Sequence, residues 1–82
     1  MFMEVCAVFD VAAGCYSRPW FFASKGLAIR TFQDEVARDA PDNAMFKHPA
    51  DFRLFYLGRF DDNAGRFDCV ASPELLLNGS DR

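Results

Sequence analysis

Histidine is almost missing from this 82-residue chain, in which His48 stands alone. Cysteine is sparse and odd in number: Cys6, Cys15 and Cys69, with no Cys-x-x-Cys pair. These absences exclude a disulfide framework, which needs pairs, and a zinc site, which needs closely spaced ligand pairs. The thiols read as free groups of a reducing compartment. No apolar run reaches the roughly 18 residues of a membrane-crossing helix. The opening MFMEVCAVFD lacks a basic segment before its apolar stretch and does not read as a secretion signal. A phosphate-cradling glycine motif is absent too, because the five glycines are isolated at 14, 26, 58, 65 and 79. The chain is therefore expected inside a cell, with no cofactor, no metal and no membrane partner.

Cationic excess is also lacking. Nine Lys/Arg face twelve Asp/Glu, a net charge of −3, which argues against indiscriminate attraction to nucleic acid. The deficit is local. From Met1 to Phe60, seven Lys/Arg balance seven Asp/Glu, whereas from Asp61 onward two Arg face five acids. The front of the chain can still carry a basic patch.

What is abundant is aromatic surface: ten Phe, two Tyr and one Trp. Each large ring buries roughly 150–250 Å², enough for one compact core in a chain whose size makes that core marginal. A homodimer is expected to add burial.

Residues 3–11 alternate, with Val5, Ala7, Phe9 and Val11 opposite Glu4, Cys6, Val8 and Asp10, a strand with one apolar and one mixed face. Gly14 supplies a reversal. CYSRPWFFA follows as a second strand, which Pro19 confines to an edge or a bulge. Ser24 reads as the N-cap of a helix over 25–38, with Ala28, Ile29, Phe32 and Val36 on one face. Pro41 follows its end. Residues 41–51 read as a loop with one helical turn starting at Pro41. FRLFYLGRF, residues 52–60, carries apolar groups on both faces and reads as a central strand. Gly58 marks a bulge or a close backbone approach. Asp61–Gly65 forms a turn, and Arg66–Val70 a fourth strand. Ser72, Pro73 and Asn78-Gly79 suggest one or two helical turns in a tail whose end is disordered. The expectation is an α+β fold of order β-β-α-β-β, one helix on a four-stranded, mainly antiparallel sheet. Residues 1–71 form its single domain and 72–82 a partly disordered C-terminal tail.

Nothing in this pattern carries catalysis. A Cys-His nucleophile needs thiol and base within hydrogen-bond reach, and His48 lies in a loop while Cys6 and Cys69 lie in strands. Asp61-Asp62 read as turn formers, not as paired catalytic carboxylates. The informative constellation is aromatic plus basic. By period two, Tyr16, Arg18, Trp20 and Phe22 share one face of the second strand. Arg53, Phe55, Tyr56 and Arg59 lie on the third. Two readings stay open: packing in a core or dimer interface, and a platform that stacks bases while cations track phosphates. Lys25, Arg30, Lys47, His48 and Arg53 complete the candidate nucleic-acid-binding set, although His48 reads first as a turn or surface residue.

The segments VFDVAAGCYSRPWFFASKGLAIRTFQDEV and KHPADFRLFYLGRFDDNAGRF together resemble the small nonstructural protein of gokushovirus-type microviruses. The resemblance rests on Asp10, Tyr16, Pro19-Trp20-Phe21, Ala28-Ile29-Arg30-Thr31-Phe32, His48-Pro49-Ala50-Asp51, Leu54, Gly58, Phe60-Asp61 and Gly65. Trp20 stands where that family usually has Phe, and the acidic tail lies outside the matched region. The resemblance implies a protein of a single-stranded DNA phage, made in the host cytoplasm and of a kind commonly labelled DNA-binding. Two functions follow as expectations. One is salt-sensitive binding of single-stranded DNA as an accessory of genome replication. The other is a non-enzymatic interaction module that regulates a phage or host protein without touching DNA.

Overall fold

A computed structural model describes residues 1–81. Its elements are β1 (Phe2–Asp10), β2 (Cys15–Tyr16), β3 (Trp20–Phe22), α1 (Lys25–Ala37), α2 (Ala44–Lys47), β4 (Phe52–Asp61) and β5 (Arg66–Asn78). Short 3₁₀ turns cover Pro49–Asp51 and Gly79–Asp81. One antiparallel sheet runs in the order β2-β1-β4-β5, and β3 continues the β2 edge along β1. The α+β expectation holds: one main helix lies on one face of a curled antiparallel sheet.

The helix begins where its N-cap allows. The Ser24 hydroxyl accepts from the Leu27 amide at 3.1 Å, satisfying one of the donors a helix start leaves free. Ala28, Phe32 and Val36 recur at helical spacing and are fully buried. They meet Cys6 and Val8 of β1, Phe22 of β3, and Leu54 and Tyr56 of β4. The alternation along β1 and β4 selects these residues for the helix-covered face. The central position expected for residues 52–60 is correct, since β4 lies between β1 and β5.

Three expectations need correction. The second strand is not continuous. Tyr16 pairs with Phe9, but Trp20 pairs with Cys6, so one extra residue enters the edge between them. Ser17 still pairs with Val8, its amide donating to the Val8 carbonyl at 2.7 Å. The insertion therefore falls at Arg18-Pro19, where proline has no amide to offer a ladder. The helical turn after Pro41 starts later than expected, at Ala44, because Asn43 is its cap. The tail forms no helical turn over residues 72–78. These residues continue β5, and Glu74, Leu75, Leu77 and Asn78 pair with β4. The apolar run Leu75-Leu76-Leu77 wins over the capping pattern because Leu76 and Leu77 pack on the core.

Bulges bend the sheet. Leu57 is inserted between the Cys6–Tyr56 and Val5–Gly58 pairs of β1 and β4. Opposite it, residues 70–73 of β5 bow out between the Tyr56–Glu74 and Gly58–Cys69 pairs. Gly58 sits at the pivot with φ 139°. A Cβ there would lie 2.4 Å from the Asp68 carbonyl oxygen and 2.7 Å from the Cys69 Cα. Both readings of this glycine, bulge and close approach, are correct together.

Asn43 joins the two helices. Its side-chain amide donates to the carbonyls of Glu35 and Arg38, at 2.8 and 2.9 Å, and its oxygen accepts from the Met45 amide at 3.1 Å. One buried side chain thus closes the end of α1 and opens α2.

Candidate functional site

The helix covers one face of the sheet, and the other is open. Register lays that open face out in four rows. Tyr16, Phe9, Arg53 and Asn78 form the first row across β2, β1, β4 and β5. Ala7, Phe55 and Leu75 form the second. Phe21, Val5, Gly58 and Cys69 form the third. Met3, Phe60 and Phe67 form the fourth.

Six rings on these rows gather into two clusters. Phe9, Tyr16 and Phe55 make the first, with centroids 4.8 to 6.4 Å apart. Phe21, Phe60 and Phe67 make the second, at 4.9 to 6.2 Å. Their tilted and edge-on geometries are those that aromatic quadrupoles favour. The rings cover the small residues between them: Val5 is 4% exposed and Ala7 2%. Three of the rings stay open to solvent, Tyr16 and Phe21 each 43% exposed and Phe67 59%, while Phe9, Phe55 and Phe60 are half-buried. Beside the second cluster, Val5, Pro19, Leu57, Gly58, Arg59, Phe67 and Cys69 line an apolar recess of about 260 Å³.

Charge is sorted between the faces. Every acidic residue within the strands, Glu4, Asp10, Asp61, Asp68 and Glu74, falls by register on the helix side. On the four rows Arg53 is the single charged side chain. The four rows thus carry no carboxylate of their own, although at the edges Asp61 and Asp68 share a recess with Phe67, and Asp10 shares one with Tyr16.

The candidate residues read from the sequence are separated by the fold. Tyr16 and Arg53 share the first row, on either side of Phe9. Trp20 and Phe22 turn to the helix side, where their rings lie 6.2 Å apart and Phe22 is buried. The inserted residue at Arg18-Pro19 is the cause: a one-residue slip moves a side chain to the opposite face. The stripe read as one face is thus split between two. Arg18 is exposed at the insertion itself. Lys25, Arg30, Lys47 and His48 lie in the helical layer, away from the open face. His48 ends α2, its amide donating to the Ala44 carbonyl. The Lys25 ammonium lies 4.0 Å from the centre of the Tyr56 ring and 3.9 Å from the Glu74 carboxylate, a packing role. The rings that sequence reasoning missed are Phe9, Phe21, Phe60 and Phe67. The alternation of Phe9 was visible, but its use as open surface was not.

The helix side holds the perturbed groups. Burial pushes the Cys6 thiol up to about 11, aided by the nearby Glu4 carboxylate. Burial also pushes the Tyr56 phenol up to about 12, and its hydrogen bond to Glu4 acts in the same direction. A thiol held protonated is a poor nucleophile, so Cys6 is a core group. Among the described residues, no set of three or more His, Cys, Asp or Glu gathers as metal ligands. Among the described residues, too, no helix is long and apolar enough to cross a membrane.

Comparison with known proteins gives two matches. A family model described as "Phage ORF5 protein" matches residues 3–82. "Protein ORF5" of Chlamydia phage 1 is 36% identical over 69 residues, spanning 82% of this chain and 72% of that relative. No solved structure matches.

Proposed function

This chain belongs to the Phage ORF5 protein family, and from that premise we propose that it binds single-stranded DNA on the open sheet face, as an accessory of phage genome replication in the host cytoplasm. The observation that carries the reading is the set of aromatic rows, which hold no carboxylate of their own and have Arg53 in the first. Bases offer a ring face whatever their sequence, and each stacked base contributes roughly 1–3 kcal/mol. Tyr16, Phe21 and Phe67 are the exposed rings available to stack. Arg53, and Arg18 at the sheet edge, are the cations for phosphate. With so few cations the affinity rests on stacking, and its salt dependence is shallow. Each neutralised phosphate of a single strand adds about −0.7 to the log–log slope, so a total near −1 is expected.

A second reading is a docking face for a protein, including a second copy of the chain. The recess beside Phe67, lined by apolar residues and by Arg59, favours it, since exposed contiguous apolar surface commonly marks a protein interface.

One titration separates the two. A fluorescently labelled single-stranded oligonucleotide is titrated with protein at two salt concentrations, with light scattering on the same samples. Saturable anisotropy that Tyr16→Ala or Phe67→Ala weakens by about fivefold or more supports DNA binding. A flat signal alongside a discrete dimer assigns the face to a second copy.

A further inference from the structure

We propose that the outer edge of β5 pairs with the same edge of a second copy of the chain, antiparallel and centred on Phe67. β5 ends the sheet, and Arg66, Phe67, Asp68 and Cys69 are all exposed. The Asp62 amide donates to the Met1 carbonyl. Phe2 and Asp61 are therefore a non-hydrogen-bonded pair, and the amide and carbonyl of Asp61 face β5. Arg66 and Asp68, opposite Asp61 and Arg59, bond to β4 in turn. Phe67 and Cys69 alternate with them and aim their amides and carbonyls off the sheet. An unpaired edge of this kind is a template for another chain.

Charge selects both the occupant and the register. A two-fold pairing centred on Phe67 sets Arg66 of each copy opposite Asp68 of the other. Both fall at non-hydrogen-bonded positions, where facing Cα atoms are about 4.5 Å apart and side chains lie closest. Opposite charges so placed are stabilising, and like charges are destabilising. Neighbouring registers lose this match. Centring on Arg66 or Asp68 sets a charge against its own copy, and centring on Cys69 leaves Arg66 and Asp68 opposite Ser72 and Val70. With Phe67 at the centre, Asp62 of the turn falls opposite Ser72, so no carboxylate meets another. The two Phe67 residues exchange backbone hydrogen bonds, and their rings meet on the open side. Within one chain, Arg59 holds Asp68 loosely, at 3.7 Å with the Asp68 side chain 75% exposed. Arg66 has no ion-pair partner among the described residues. This edge pairing leaves the open face free and sets two such faces side by side. It goes beyond the DNA-binding reading and does not depend on it.

The paired stretch is short, so the dimer is expected to be weak and reversible. Sedimentation velocity of the full chain over a concentration series should show a monomer–dimer equilibrium. Arg66→Asp and Asp68→Arg each turn both cross-copy pairs into like-charge pairs. Each is expected to raise the dimer Kd by about tenfold or more. Each new charge also meets a like charge across β4, Asp61 or Arg59, so circular dichroism follows the fold in parallel. Two rescues carry the test. Both substitutions in one chain exchange the charges and should return the Kd to within a few-fold of the parent's. Mixing the two single variants sets two acids against two arginines and should give a heterodimer tighter than either homodimer. A misfolded chain regains no dimer on mixing. A chain that stays monomeric at near-millimolar concentration overturns the proposal, as does failure of either rescue. A dimer that withstands both single substitutions but dissociates in Phe21→Ala is joined through the open face instead, and overturns it too.

Discussion

Trp20 and Tyr16 are only four positions apart, yet opposite consequences are expected from their removal. Trp20 packs against Phe22 on the helix side. Trp20→Ala is expected to cost about 2 kcal/mol of stability, less than the 3–5 typical of a fully buried ring, with oligonucleotide binding unchanged per folded molecule. Tyr16→Ala should reverse that pattern, lowering affinity with a smaller change in midpoint. Urea denaturation beside anisotropy reads both quantities. Asn43 is a second residue whose weight exceeds its size. Asn43→Ala leaves the Arg38 carbonyl and the Met45 amide without their side-chain partner, while the Glu35 carbonyl keeps only the Arg38 amide. Each orphaned buried group costs roughly 1–3 kcal/mol, so a loss of about 3 kcal/mol in a urea titration is the expected outcome. Gly58→Ala should be at least as damaging, because a Cβ there meets backbone atoms of β5 at a φ that side chains avoid.

Among the elements, β5 is the least uniform. Its two ends pair with β4, while residues 70–73 bow away opposite Leu57. Pro73 sits in that bow, where its missing amide costs the ladder nothing. Charged and prolyl residues on an edge strand also discourage unplanned pairing with other chains. Amide hydrogen exchange followed by NMR should therefore be slowest at Leu54 and Tyr56 of the central β4. It should be fastest, within β5, at Val70–Ser72. Uniform protection along β5 would mean that the bow is closed in solution. The broken β2–β3 edge follows the same logic from the opposite side of the sheet: one inserted residue ends a ladder and redirects what comes after it.

For the whole molecule, the buried pair facing the helix sets an alkaline limit. Cys6 is held protonated up to about 11 and Tyr56 up to about 12. Both groups are neutral when protonated, and both have folded values above their ordinary ones of 9.0 and 10.0. The stability they confer is complete below pH 9 and declines as pH rises through 11 and 12, because the unfolded chain releases these protons first. Thermal midpoints measured from pH 8 to 12 should be level at first and then fall. Cys6→Ser lacks the thiol's titration and should delay the onset, although its unperturbed baseline will be lower. A midpoint constant to pH 12 would contradict the buried placement of both groups.

Much of this architecture was legible along the chain. Period-two alternation marked β1 and β4, Ser24 announced α1, and Ala28, Phe32 and Val36 named its buried face. The gokushovirus-type resemblance pointed to the phage family that the comparisons establish. Local rules suffice for such features because caps, turns and periodicity act over a few residues. The open face was not legible, nor was the continuation of β5 beyond Val70. Which ring faces solvent depends on pairing register, and a single residue inserted at Arg18-Pro19 placed Tyr16 and Trp20 on opposite sides. The sequence by itself determined β1, α1 and β4 and which helix face is buried. Tertiary structure alone decided that the strand acids share the helix side and that six rings share the other. Parity across paired strands is a property of hydrogen-bonded neighbours far apart in the chain, and no local pattern carries it.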